Sequence, residues 1–145
     1  MSCVLRVEGK TFDVDAFLAK SPLTPFDVFH AGEPRTASRP ERGEHTGSGF
    51  KMDVSDASWE GLRAQVSDAI AFLDQHRQEL ERLRATSGVE DIRLDFAIYL
   101  RMNDNIWAQY DYFPPEIVSR AGALGIGLEL SIYPPPGDES LTGQA

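Results

Sequence analysis

The sequence predicts an α+β domain: a mostly antiparallel, one-sided sheet of about five strands, packed by one long and two short helices as a two-layer sandwich. Two observations carry this. Ile92 to Leu100 and Ile126 to Tyr133 alternate without a break, setting large aliphatic or aromatic side chains on one side and charge, Gly, Ser or Tyr on the other. A period of two of this kind marks a sheet buried on one face. Between them and the N-terminal strands, Trp59, Leu62, Val66, Ala69, Leu73, His76, Leu80 and Leu83 recur at spacings of three and four, an apolar stripe down one side of a helix.

The elements follow in order. Cys3, Leu5 and Val7 alternate with Val4, Arg6 and Glu8, a first strand ending at Gly9-Lys10. Asp13 is placed to cap a brief helix carrying Val14, Phe17 and Leu18, with Lys20 at its end and Pro22 and Pro25 stopping it. Phe26 to His30 reads as a second strand, and Phe50, Met52 and Val54 as the inward row of another. The long helix runs from near Trp59, a core residue at its start, with Ser55 or Asp56 as cap and Gly88 just past its end. Asn103-Asp104 marks a turn, from which Ile106 to Phe113 is expected to return as an edge strand. Pro114-Pro115 opens the last helix and Gly125 closes it. Residues 1–133 therefore form one domain, with a polar, exposed and mobile loop at 32–47 and a disordered Pro/Gly tail at 134–145.

Charge narrows the partners. Fourteen basic residues against twenty-three acidic ones leave a formal net charge of −9, which repels phosphate backbones and favours basic partners. Nucleic acid is excluded as a generic partner. Nothing approaches the length of a membrane span, the N-terminus lacks an export signal, and the single cysteine, Cys3, fits a reducing compartment; a cytoplasmic protein is expected.

No catalytic motif stands out, and neither a cofactor nor a metal is expected. The histidines, His30, His45 and His76, sit in three different elements without ligand spacing. Cys3 points inward, where a thiol is an inert packing residue. Gly47-Ser48-Gly49 precedes a strand rather than a helix, so Ser48 lacks the turn of a hydrolase nucleophile.

Three functional readings remain. The leading one is a non-enzymatic protein-binding domain, in one form an immunity-type inhibitor of a basic toxin. Its contacts are Trp107, Tyr110, Asp111 and Tyr112, with Asp104 adding charge, because aromatics supply contact area and acids supply steering. The alternative is a small-ligand-binding or hydrolytic domain on the outward sheet face. There Asp95 and Glu129 are the acids, Tyr99 and Tyr133 the binding groups, and Arg93 lies nearby. The duller account of the same face is cross-strand ion pairing. The third reading is a homodimer whose edge strand pairs with itself.

The segments Val28-Phe-His-Ala-Gly-Glu33, Ser48-Gly-Phe-Lys-Met-Asp-Val-Ser55 and Phe113 to Tyr133 together resemble a small, mainly bacterial family of domains of unknown function. That family favours Trp at the place of Phe50 and Arg-Lys at His30-Ala31. The resemblance implies an α+β fold and no catalytic residues, and an immunity role by analogy only.

Overall fold

The computed structural model describes residues 1–137. Five strands form a single sheet: β1 (Cys3–Gly9), β2 (Asp27–Phe29), β3 (Ser48–Ser55), β4 (Asp91–Tyr99) and β5 (Gly127–Tyr133), in the spatial order β2-β3-β1-β4-β5. Three pairings are antiparallel, and β4–β5 is parallel. A parallel neighbour needs a crossover. Residues 100–126 supply it, with helix α4 (Pro115–Ala123) inside the connection.

The inward rows are those expected from the alternation. Cys3, Leu5 and Val7 of β1, Phe50 of β3, and Ile92, Leu94, Phe96 and Ile98 of β4 are buried. They meet Val14 and Phe17 of helix α1 (Val14–Ala19), and Ile117 and Ala121 of α4, in one core on one side of the sheet. Each fully buried Leu, Ile or Phe contributes roughly 1.5–3 kcal/mol. Asp13 caps α1 by accepting from the Ala16 amide at 3.1 Å. Phe17 stacks on Phe50 at 6.2 Å, and the Arg82 guanidinium covers its ring at 4.2 Å. Burial pushes the Cys3 thiol far above its usual range, which keeps it protonated and inert.

Three expectations are corrected. The long helix is two helices, α2 (Arg63–Gln75) and α3 (Arg77–Arg84), broken at His76, where φ is −106° and ψ 18°. The break inserts no residue, so Leu73, His76, Leu80 and Leu83 keep their spacing through it, and apolar periodicity is blind to it. Second, α2 begins at Arg63 without a side-chain cap, because Ser55 Oγ instead donates to Asp68 at 2.6 Å and accepts from the Ala57 amide. Trp59 consequently lies outside the helix, half-buried, with its ring against Tyr99 and Tyr133 at 5.2 Å each. Third, residues 106–113 form no strand. The sheet edges are β2 and β5, so self-pairing through 106–113 has no strand to use.

On α2 one fully buried residue breaks the apolar pattern. Gln65 faces inward on α2 and donates to the carbonyls of Ala97 at 2.8 Å and Ser58 at 3.1 Å. It satisfies a β4 carbonyl just beyond the end of the β1 ladder, while β5 pairs with Ala97 from the other side. At the other end of β1 the chains approach too closely for any side chain: a Cβ on Gly9 would lie 1.7 Å from the Gly88 carbonyl oxygen. Of the expected tail, residues 134–137 follow β5 without helix or strand, and 138–145 lie outside the described residues.

Candidate functional site

The connection from β4 to α4 builds the most unusual surface. Asn103 opens a tight turn, its Oδ1 accepting from the amides of Asn105 (2.8 Å) and Ile106 (3.0 Å), so the turn expected at Asn103-Asp104 is present. Asp104 is exposed on it. Beyond the turn, Trp107, Tyr110 and Tyr112 are 86%, 88% and 72% exposed. Burying an aromatic ring removes some 150–250 Å² from water, so three left in solvent within six positions are not explained by the core.

The loop that presents them is nonetheless held. Asp111, its side chain only 8% exposed, accepts from Arg101 Nη2 at 2.9 Å and Gln109 Nε2 at 2.9 Å. Gln109 Oε1 accepts from the Arg101 amide at 2.8 Å. Phe113 then enters the core edge-on to Phe96 at 5.2 Å. Asp111 therefore faces inward and shapes the loop, while Trp107, Tyr110, Tyr112 and Asp104 face outward. Alternate members of the segment split between these roles, but by loop hydrogen bonding rather than strand pleat. Replacing Asp111 with Asn removes the ionic partner of a half-buried arginine. The expected result is a loss of about 1–3 kcal/mol in chemical denaturation, with proteolysis between residues 102 and 112 accelerated beyond that global effect.

Beside the loop runs a groove of about 640 Å³ floored by Leu62, Val66 and Ile70 and walled by Tyr110, Tyr112 and Pro114. Arg63 and Arg101 also reach it, the latter neutralised by Asp111. The volume is ample for a few inserted side chains.

The outward sheet face brings Asp95 and Glu129 into register on neighbouring strands, and likewise Tyr99 and Tyr133. The acids and phenols do not converge, because four residues along a strand separate them by about 13 Å. Asp95 is buried, accepting from Ser131 Oγ at 2.6 Å and paired with Arg6 at 3.2 Å. Glu129 pairs with Arg93 at 3.2 Å, and Arg93 also reaches Asp91 at 2.7 Å. Both acids are thus engaged in ion pairs. Among the described residues no group of three His, Cys, Asp or Glu side chains is placed to hold a metal. Nor is any helix there long and apolar enough to cross a membrane.

The 32–47 segment folds back on itself over this face. The Gly32 amide donates to His45 O at 2.9 Å, the His45 amide to Glu33 O at 2.8 Å, and the Arg35 amide to Gly43 O at 3.0 Å. The His45 ring stacks on Phe29 at 4.4 Å. His30 ties the base of the loop to α1, its ring contacting Asp15 Oδ2 at 2.8 Å through Nε2 and Glu33 through Nδ1. Hydrogen bonds to Asp15, then to Glu33, raise the His30 pKa above its ordinary 6.5. The protonated ring is the one these carboxylates favour. Its contribution is therefore complete below about pH 6.5 and is lost as pH rises through the raised folded value. In an NMR titration the His30 ring should titrate above the free value, and Asp15→Asn should move it back down. The melting difference between wild type and Asp15→Asn should be larger near about pH 6 than near about pH 8.

Sequence reasoning found the exposed aromatics and the Asp95–Glu129 pair. It missed Arg101 and Gln109 as the braces of the loop, and it missed Arg6, Arg35 and Lys51, which join Arg93 under the 32–47 segment. A family model described as "Domain of unknown function (DUF4279)" matches residues 1–135. No curated protein and no solved structure matches the chain.

Proposed function

We propose that this chain, which belongs to the DUF4279 family of domains of unknown function, is a non-enzymatic protein-binding domain that docks a basic partner through its aromatic loop. The observation that carries this reading is the exposure of Trp107, Tyr110 and Tyr112 on a loop braced by Arg101, Gln109 and Asp111. Aromatic side chains on a pre-ordered loop lose little conformational entropy on binding and dominate the energy of interfaces. The adjoining groove offers apolar depth beside them. The net charge of −9, with Asp104 at the loop tip, supports a basic partner by steering its approach.

An immunity-type inhibitor of a basic toxin, resident in the cytoplasm, is the specific form we favour, since it joins an acidic surface to a site without a reactive constellation. The hydrolytic reading draws less support, because Asp95 and Glu129 are held by Ser131, Arg6 and Arg93.

Photo-crosslinking tests the proposal. A photoreactive residue at position 110 should trap one basic protein in equal stoichiometry in the native cell, and the same residue at Gln78, exposed on α3, should not. Adding this chain should then block the activity of the trapped protein. Equal trapping from both positions, or an acidic partner, would overturn the proposal.

A further inference from the structure

A hollow of about 430 Å³ opens on the outward sheet face beneath the 32–47 segment, toward the Asp91 end of β4 and away from Tyr99. Strand register sets its floor. Lys51 of β3, Arg6 of β1 and Arg93 of β4 are direct partners across three adjacent strands. Like charges directly opposite on a sheet are destabilising, and core packing makes no demand for cations on a face it does not touch. Arg35 and His45 enter the same hollow from the loop above.

Each cation of this row has a carboxylate partner, so what the hollow offers an anion is unused donors rather than excess positive charge. Asp95 is 3.2 Å from Arg6, Asp27 is 3.6 Å from Lys51, and Asp91 and Glu129 both hold Arg93. Glu8 also lines the hollow. Donors are still left over on the Arg6 side. Arg6 Nε is buried with no hydrogen-bond partner among the described residues. Arg35 makes no ion pair among the described residues, its Nε donating only to the Glu44 carbonyl at 3.3 Å. The Lys51 pair is long for a charge-assisted hydrogen bond.

We propose that this hollow binds a small organic oxyanion, a carboxylate or a phosphate ester, gripped by Arg6, Arg35 and Lys51. Guanidinium forks match the planar or tetrahedral oxygens of such groups and bind them through paired N–H donors. The size suits a metabolite rather than a polymer. The overall charge of −9 opposes adsorption of anions elsewhere, so a bound anion reports this local arrangement rather than the general field. The arginine–acid pairs around Arg93 form the other wall, where hydroxyl or amine groups of the ligand find acceptors. This site is separate from the aromatic loop, and its occupancy does not depend on the docking proposal.

The test uses the intact chain with two probes, inorganic phosphate and succinate, each against sodium chloride at equal ionic strength. Thermal shift should rise saturably with at least one probe, and NMR amide shifts should centre on residues 6, 35, 45 and 51. Phosphate alone identifies a phosphate ester, and succinate alone a carboxylate. Arg35→Gln and Lys51→Gln should each weaken binding about tenfold, while Trp107→Ala leaves it unchanged. Absence of a shift beyond the chloride control for both probes would overturn the site. So would undiminished binding in both variants, or amide shifts centred elsewhere.

Discussion

Phe96→Ala is expected to lower unfolding stability by about 3–5 kcal/mol, the cost of emptying a large aromatic from a close-packed core. Phe96 is fully buried on β4, which lies between β1 and β5 in the sheet. Its ring also meets Phe113 edge-on at 5.2 Å. A domain of this size is stable by about 5–15 kcal/mol, so the substitution removes a large fraction of the total. The melting temperature should fall by roughly 10–20 °C. By contrast Leu128, on the edge strand β5, is only half-buried, and truncating it should cost clearly less. Because Phe113 anchors the C-terminal root of the aromatic loop, Phe96→Ala should also raise amide exchange across residues 106–113, beyond its global effect. Equal stability losses at Phe96 and Leu128 in urea melts would contradict the assignment of core and edge.

The second large effect is on binding rather than folding. Trp107→Ala and Tyr110→Ala should each leave melting within about 0.5 kcal/mol of wild type, because neither side chain packs in the core. Each should nevertheless weaken partner binding by about 2 kcal/mol or more, roughly thirtyfold, as interface aromatics do. Calorimetric titration of the crosslinked partner, purified, against each variant measures this. A loss of stability that tracked the loss of binding would instead assign the two residues to the fold.

Much of the architecture was legible because one-sided burial writes itself as a period of two. The alternations in β1 and β4 and the cap at Asp13 depend only on local spacing, and each stands where spacing put it; β5 forms where expected, but at the sheet edge its burial does not alternate and Ile132 is exposed. What was not legible depends on where distant segments meet. Strand order is one such property: Lys51, Arg6 and Arg93 are scattered in sequence, and only the pairing of β3, β1 and β4 lines them up. The break at His76 preserves the apolar spacing and so leaves no trace in it. Trp59 has the composition of a core residue, yet it sits against two tyrosines on the outward face. Ile106 to Phe113 has the composition of a strand, but the place beside β4 that a hairpin turning at Asn103-Asp104 would take is held by β5. Asp111 reads as a surface acid among exposed rings; only its hydrogen bonds to Arg101 and Gln109 reveal it as a brace. At the candidate site, then, residue types were readable in advance and their orientations were not.

Hydrogen–deuterium exchange on the partner complex tests the central claim most directly. Binding should protect residues 102–113 and the first turns of α2 beside the groove, and leave β5 and the 32–47 segment unchanged. Protection confined to β5 or to the 32–47 segment, with the aromatic loop exchanging as in the free chain, would contradict it.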